Sequence, residues 1–192
     1  MRLDPYINAS LRRFGRQVAL RDAAASVTVL EPETPTTTSA AVALDGEFER
    51  VRALAPGSDM DRARALVHGG PGVKRPLVRY EFEDALVYPT GFSVGGGNFM
   101  RDMPLPHKDL FAGKVTTLPK AFSTHSPVSI RYFGHWIADS CPTALLKSDD
   151  DALLMTHRAD WPHAQEYCRL FDLRPEPSGI YRVEKLTWMD DV

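Results

Sequence analysis

From about residue 128 the chain alternates between helical and strand periodicity, and this limits its fold more than any other feature. The spacing predicts a helix from about 134 to 147. The apolar run Ala152-Leu153-Leu154-Met155-Thr156 follows it. Pro162 then opens a second helix, with Ala164, Tyr167, Cys168 and Phe171 at i, i+3, i+4 and i+7. After a turn holding Pro175, Pro177 and Gly179, the stretch from Ile180 to Leu186 reads as a strand. Apolar strands joined by a helix pair in parallel with a right-handed crossover, the building block of Rossmann-like sheets. The expected fold class is therefore α/β. Only residues 188–192 follow the last strand, so a strand at 180–187 is expected to leave a face or edge uncovered, as in a chain cut short before a further domain.

The preceding part divides in two. Residues 1–58 read as an irregular arm and linker: a short strand, Val27-Thr28-Val29-Leu30, runs into Glu31–Ser39, where two prolines among threonines predict an exposed loop. Residues 59–192 form the expected α/β domain. It starts with a helix over Asp59–Val67, ended by Gly69-Gly70. Short antiparallel strands follow: Leu77–Phe82 with period 2, Ala85–Tyr88 beyond two acidic residues, then Phe92–Val94 leading into Gly95-Gly96-Gly97. Prolines 104, 106 and 119 predict a loop from there to the C-terminal part.

Composition excludes several classes. The 23 Lys+Arg against 25 Asp+Glu give a net charge of -2, with no general pull on nucleic acid or anionic lipid. No apolar run approaches the ~20 residues of a membrane span, and the N-terminus lacks the apolar segment of a secretory signal. Two cysteines, Cys141 and Cys168, make no disulfide framework, and the reading is of buried, reduced thiols in a cytoplasmic protein.

The stretch richest in chemistry is Tyr132-Phe133-Gly134-His135-Trp136-Ile137-Ala138-Asp139-Ser140-Cys141-Pro142. On a helix His135 and Asp139 share one face, while Ile137, Ala138, Cys141, Ala144 and Leu145 form a stripe opposite, to pack on the sheet. Imidazole and carboxylate then point away from the core. The positive helix start favours neutral imidazole and Asp139 favours imidazolium, opposing influences that suit a general base. A structural ion pair closing the helix start has the same spacing. Pro142, which cannot bond the Ala138 carbonyl, predicts a kink.

The order aromatic–Gly–His–Trp–apolar–x–Asp–x–x–Pro–x–x–Leu–Leu resembles the signature helix of glycosyltransferase family 61, which includes capsular-polysaccharide biosynthesis proteins. The strand at 152–156, the helix at 162–173 and the strand Tyr181-Arg182-Val183-Glu184-Lys185-Leu186 are similar to the elements beyond that helix in the family, so the resemblance covers roughly residues 76–192. Tyr132 departs from it, standing where family members often carry Asn. The resemblance implies the N-terminal, acceptor-side half of a GT-B enzyme that transfers a sugar from a nucleotide sugar to a glycan or glycolipid acceptor with inversion. It also implies a missing C-terminal domain that holds the donor, so no cofactor is expected on this chain and the nucleotide sugar is a co-substrate of the longer enzyme. The catalytic candidates are His135 and Asp139, either of which is open as the base. Trp136, Tyr132, His157 and Arg158 are the substrate-binding candidates. Trp136 either walls a sugar or packs; His157 and Arg158 stand past the carboxyl end of a strand, where α/β sheets place ligands. A non-catalytic saccharide-binding or interaction module that keeps the half-fold is the alternative.

Weaker signals read as structure. His68-Gly69-Gly70-Pro71-Gly72-Val73-Lys74-Arg75 lacks the Ser/Thr and leading strand of a phosphate loop and reads as a turn. Asp149-Asp150-Asp151 precedes a strand instead of following one, which suits a solvated turn. His107, His125 and His163 show no metal-ligand spacing.

Overall fold

A computed structural model describes residues 5–7, 18–42, 44–54, 59–100, 110, 113–126, 128–155 and 161–190. The chain divides into two compact units. One holds Val78–Asp190 together with the chain before Leu30, and the other holds Leu30–Leu77.

The larger unit is α/β with one mixed sheet. Its strands are β1 (Ser26–Glu31), β4 (Leu77–Tyr88), β5 (Gly91–Val94), β6 (Gly97–Phe99), β7 (Val115–Ser123), β8 (Ala152–Leu154) and β9 (Ile180–Asp190). They lie in the order β6-β5-β4-β9-β7-β8, with β1 also on β4. The β7–β8 and β7–β9 pairs are parallel; β4–β9, β4–β5 and β5–β6 are antiparallel. The helical segments are α1 (Leu20–Ala23), a composite α3 over 133–144 between β7 and β8, and α4 (Ala164–Leu170) between β8 and β9. The predicted strand–helix–strand unit is thus present, with β7 between the other two parallel strands.

Two expectations fail here. The last strand is no open edge: β9 pairs with β4 along one side and β7 along the other, so its backbone groups are met on both sides. The sheet order ends instead on β6 and β8, and at β8 Glu176 N–H donates to the Leu153 carbonyl at 2.8 Å. Pro119 does not sit in a loop but inside β7. β8 pairs only with Ala121–Ser123, so the earlier part of β7 has a neighbour on one side only, where a strand tolerates a missing N–H.

Three strands change step at one level. Glu83↔Lys185 and Ala85↔Val183 pair across β4–β9, and Leu118↔Val183 and Lys120↔Lys185 across β7–β9, leaving Asp84, Glu184 and Pro119 outside both ladders. Core-facing parity switches there: Phe82 gives way to Ala85 and Val87, Val183 to Leu186 and Trp188, and Leu118 to Ala121. Each strand shows two consecutive exposed residues at the switch, Glu83-Asp84, Glu184-Lys185 and Pro119-Lys120. Register survives because every strand contributes one residue. Asp84 takes φ +53 to make the step, and Arg182 holds its carboxylate with two contacts of 2.6 Å.

The sheet bends as a result. Val87, Tyr88 and Tyr181 from one end share a cavity of about 20 Å³ with His125, Leu154 and Met155 from the other. A flat sheet would hold the levels of Tyr181 and Trp188 about 23 Å apart. The main core, inside the bend, gathers Phe82, Phe92, Phe99, Leu154, Val183, Leu186 and Trp188, with α1 residues Leu20 and Ala23 against it. β5 and β6 fold over through Gly95 and Gly96, whose φ of +55 and +87 make the mirror-image turn favoured in tight hairpins.

The smaller unit contains α2 (Met60–His68) and a two-stranded antiparallel ribbon of β2 (Thr34–Thr38) and β3 (Gly70–Lys74). The predicted loop at 31–39 and the predicted turn at 68–75 are therefore strands in part. Threonine favours extended backbone, and in a two-stranded ribbon both strands are edges, so Pro35 and Pro71 can stand where no donor is required. Lys74 closes the ribbon against Glu31.

Candidate functional site

α3 follows the carboxyl end of β7, and its start is set by backbone: Trp136 N–H donates to the Tyr132 carbonyl at 3.0 Å, with Tyr132 extended. The run is Phe133–His135, then a π turn over Trp136–Ser140, then Cys141–Ala144. The wide turn is the response to Pro142. Cys141 N–H reaches back to the Trp136 carbonyl, and the Thr143 hydroxyl takes the Asp139 carbonyl at 2.6 Å. Ser140 Oγ donates to the Thr124 carbonyl at 3.1 Å, tying the helix to the chain beyond β7.

An extra residue in one turn rotates everything after it, so the buried face differs from the predicted stripe. Trp136, Ser140, Cys141 and Ala144 are buried, while Ala138 and Leu145 are exposed. The polar face is as expected. His135 Nδ1 lies 3.0 Å from Asp139 Oδ2, with side chains 54% and 32% exposed. An Nδ1–H tautomer fits this contact, and in the neutral ring it leaves the lone pair on Nε2. Tyr132 is exposed beside this pair, its ring centroid 6.2 Å from that of His135.

Trp136 does not wall a sugar in this structure. It is wholly buried, stacked on Phe133 at 5.8 Å and tilted against Trp161 at 6.2 Å, so no ring face is open to a ligand. It anchors the helix from which His135 projects. His157 and Arg158 lie outside the described residues. Cys141 and Cys168 are both buried, and burial, then the nearby Cys168, pushes the Cys141 thiol up to about 11. Neither is a thiolate near neutral pH.

One buried polar pair lies outside the site residues expected from the sequence. At the carboxyl end of β7, Ser123 Oγ and His125 Nδ1 are 2.7 Å apart, both buried, and the Trp188 indole donates to the His125 carbonyl at 2.9 Å. Burial pulls the His125 pKa down to about 4, so the ring is neutral. Its cavity of about 20 Å³ has room for one water and no substrate. The available signal was the run Ser123-Thr124-His125-Ser126 directly after a strand.

Two larger hollows are lined by described residues. A groove of about 300 Å³ lies on the sheet face near Lys120 and Lys185, and an open cleft of about 600 Å³ near Lys114, Thr116 and the 176–181 loop. Neither they nor the small cavity are lined by Tyr132, His135 or Asp139. Asp150 and Asp151 are engaged in the turn before β8: Lys120 Nζ is 3.9 Å from Asp150, and Ser148 N–H donates to Asp151 at 3.1 Å.

No protein-family model, curated protein or solved structure matches the chain. A functional reading therefore rests on the site's geometry and the motif around His135 by themselves. Among the described residues no three His, Cys, Asp or Glu side chains gather as a metal site, and no helix is long and apolar enough to cross a membrane.

Proposed function

We propose that this chain supplies the acceptor side of an inverting sugar transfer, with His135 as the base and Asp139 as its positioning partner. The supporting observation is the 3.0 Å contact of His135 Nδ1 with Asp139 on the exposed face of α3. In the proposed step the acceptor hydroxyl gives its proton to His135 Nε2. Its oxygen bonds to the anomeric carbon as the bond to the diphosphate breaks, releasing a nucleoside diphosphate. Asp139 balances the imidazolium so formed. Tyr132 is the exposed ring for an acceptor sugar to lie against, and Trp136 holds the helix in place. The donor is bound by a further domain in this reading. The acceptor class is a glycan or glycolipid.

The second reading, a saccharide-binding module without turnover, draws support from Tyr132, an exposed ring beside His135 that stands where the resembled family often carries Asn. One experiment separates the two. Nucleoside diphosphate release from nucleotide sugars is followed with glycan acceptors, using the longest natural chain that carries these residues, beside saccharide titrations by NMR. Transfer lost in His135→Ala with folding intact supports catalysis. Saccharide shifts at Tyr132 and His135 without release support binding alone. Neither effect refutes both.

A further inference from the structure

Arg79, Glu81 and Glu83 alternate along β4 and share a face with Thr187 and Lys185 of β9 and Lys120 of β7, since Glu81↔Thr187, Glu83↔Lys185 and Lys120↔Lys185 are direct partners. With Ser148 and Asp151 from the turn before β8 and Ala25 from before β1, they line the groove of about 300 Å³. That is the scale of a small-ligand site.

Its charges are unevenly satisfied. Lys120 and Lys185 stand directly opposite one another, a like-charge pairing that costs stability in a sheet. Lys185 makes no ion pair among the described residues, and Lys120 only reaches the exposed Asp150 at 3.9 Å. Arg79 gives one guanidinium nitrogen to Glu81 at 2.8 Å, while its Nε is buried without an acceptor. Two of the three carboxylates are already occupied. Glu81 also accepts from Ser26 Oγ at 2.9 Å, and Asp151 accepts the Ser148 N–H at 3.1 Å. Cationic side chains from three adjacent strands thus face one hollow beside three carboxylates, two of which are already engaged.

We infer that this groove binds a phosphate group, with Lys120, Lys185 and Arg79 supplying the charge and the Ser148 and Thr187 hydroxyls supplying neutral donors. A phosphate carries up to two charges and presents oxygens in several directions, which suits donors converging from three strands better than a planar carboxylate does. An anion between the two lysines also removes their mutual repulsion. Glu83, cross-strand from Lys185, competes for the same cation and sets the affinity low. The groove is independent of His135 and of sugar transfer.

The test is an amide NMR titration of the chain in low-salt buffer with inorganic phosphate, pyrophosphate and glycerol 3-phosphate. Saturable shifts are expected at residues 79–83, 120, 148–151 and 185–187. Lys120→Gln and Lys185→Gln each weaken binding about fivefold, as expected for one half-exposed ion pair. Both side chains are exposed at the surface, so these variants fold. Glu83→Gln tightens binding, which a purely structural role for the lysines would not produce. An ester that binds as well as phosphate makes the ligand an organic phosphate; saturation by the inorganic ions alone makes it the free ion. Shifts that never saturate, or unchanged affinity in both lysine variants, overturn the inference.

Discussion

Lowering the pH from 7 to 4 is expected to weaken the fold through one side chain, His125. The ring is fully enclosed, and burial holds its pKa at about 4 against an ordinary 6.5. In the unfolded chain it regains the ordinary value. Above 6.5 both states are neutral and the fold has its full stability. As pH falls from 6.5 the unfolded state takes up a proton that the folded state refuses, and the loss is complete once pH passes the folded pKa. The gap of about 2.5 pH converts to on the order of 3 kcal/mol. Against a total of about 5–15 kcal/mol for a domain, that is a large fraction. Urea unfolding at intervals from pH 8 to 4.5 reads it as a falling midpoint. His125→Asn keeps a polar side chain that cannot titrate, so the variant starts less stable but its midpoint is nearly flat over the same range. The carboxylates Asp84 and Glu166, held low by their bonds to Arg182 and Arg169, lose their contribution as pH falls through the ordinary carboxylate values, at the bottom of this range, and do so equally in His125→Asn. A wild-type midpoint that does not move between pH 6.5 and 4.5, or an equal slope in His125→Asn, refutes the burial argument.

Five substitutions at four positions probe the rest of the fold and the site. Trp136→Ala removes a wholly buried indole between Phe133 and Trp161 and is expected to cost about 3–5 kcal/mol in chemical denaturation. His135→Ala, on an exposed face, is expected to leave the denaturation midpoint nearly unchanged, and under the proposed function to lower transfer about 10²–10⁴-fold in an assay of nucleoside diphosphate release. Gly91→Ala is expected to cost about 3 kcal/mol or abolish folding: φ is +144 and an added Cβ would stand 2.4 Å from the Phe99 carbonyl oxygen. Asp84→Asn removes the half-exposed ion pair with Arg182 while keeping a residue that tolerates positive φ, and costs about 0–1 kcal/mol in thermal unfolding. Asp84→Val in the same assay adds about 1–2 kcal/mol of backbone cost.

The sequence spoke clearly wherever one periodicity ran unbroken. Helix 60–68, the strand at 152–154, the helix after Pro162 and the strand from Ile180 all stand within a few residues of their predicted places, because each carries its own apolar spacing. The outward pair His135–Asp139 was legible for the same reason. The buried face of its helix was not, since a π turn forced by Pro142 changes the phase after Trp136, and no regular period contains that change. Trp136 and His135 are adjacent in sequence and opposite in environment, so a motif read as letters could not tell anchor from ligand contact. His125 was missed because burial of a polar side chain depends on strands that meet it from elsewhere in the chain. β2 was missed because its partner β3 comes more than thirty residues later.

The level of Asp84, Glu184 and Pro119 ties these failures together. Read alone, each strand breaks: an acidic pair splits β4 into two short strands, a proline turns β7 into a loop, and Glu184-Lys185 spoils the alternation of β9. Read together, the breaks coincide, and a defect shared by three neighbouring strands preserves their register while moving each apolar set to the other parity. A single strand that changed parity alone would turn half its apolar side chains to water. Three that change at one level keep a continuous core and gain a bend, which encloses His125. The same step leaves Glu83, Lys185 and Lys120 side by side on the outer face, at the centre of the proposed phosphate groove. The burial that depresses one histidine and the crowding of two lysines thus have a common origin in a residue at φ +53, a proline and the strand between them.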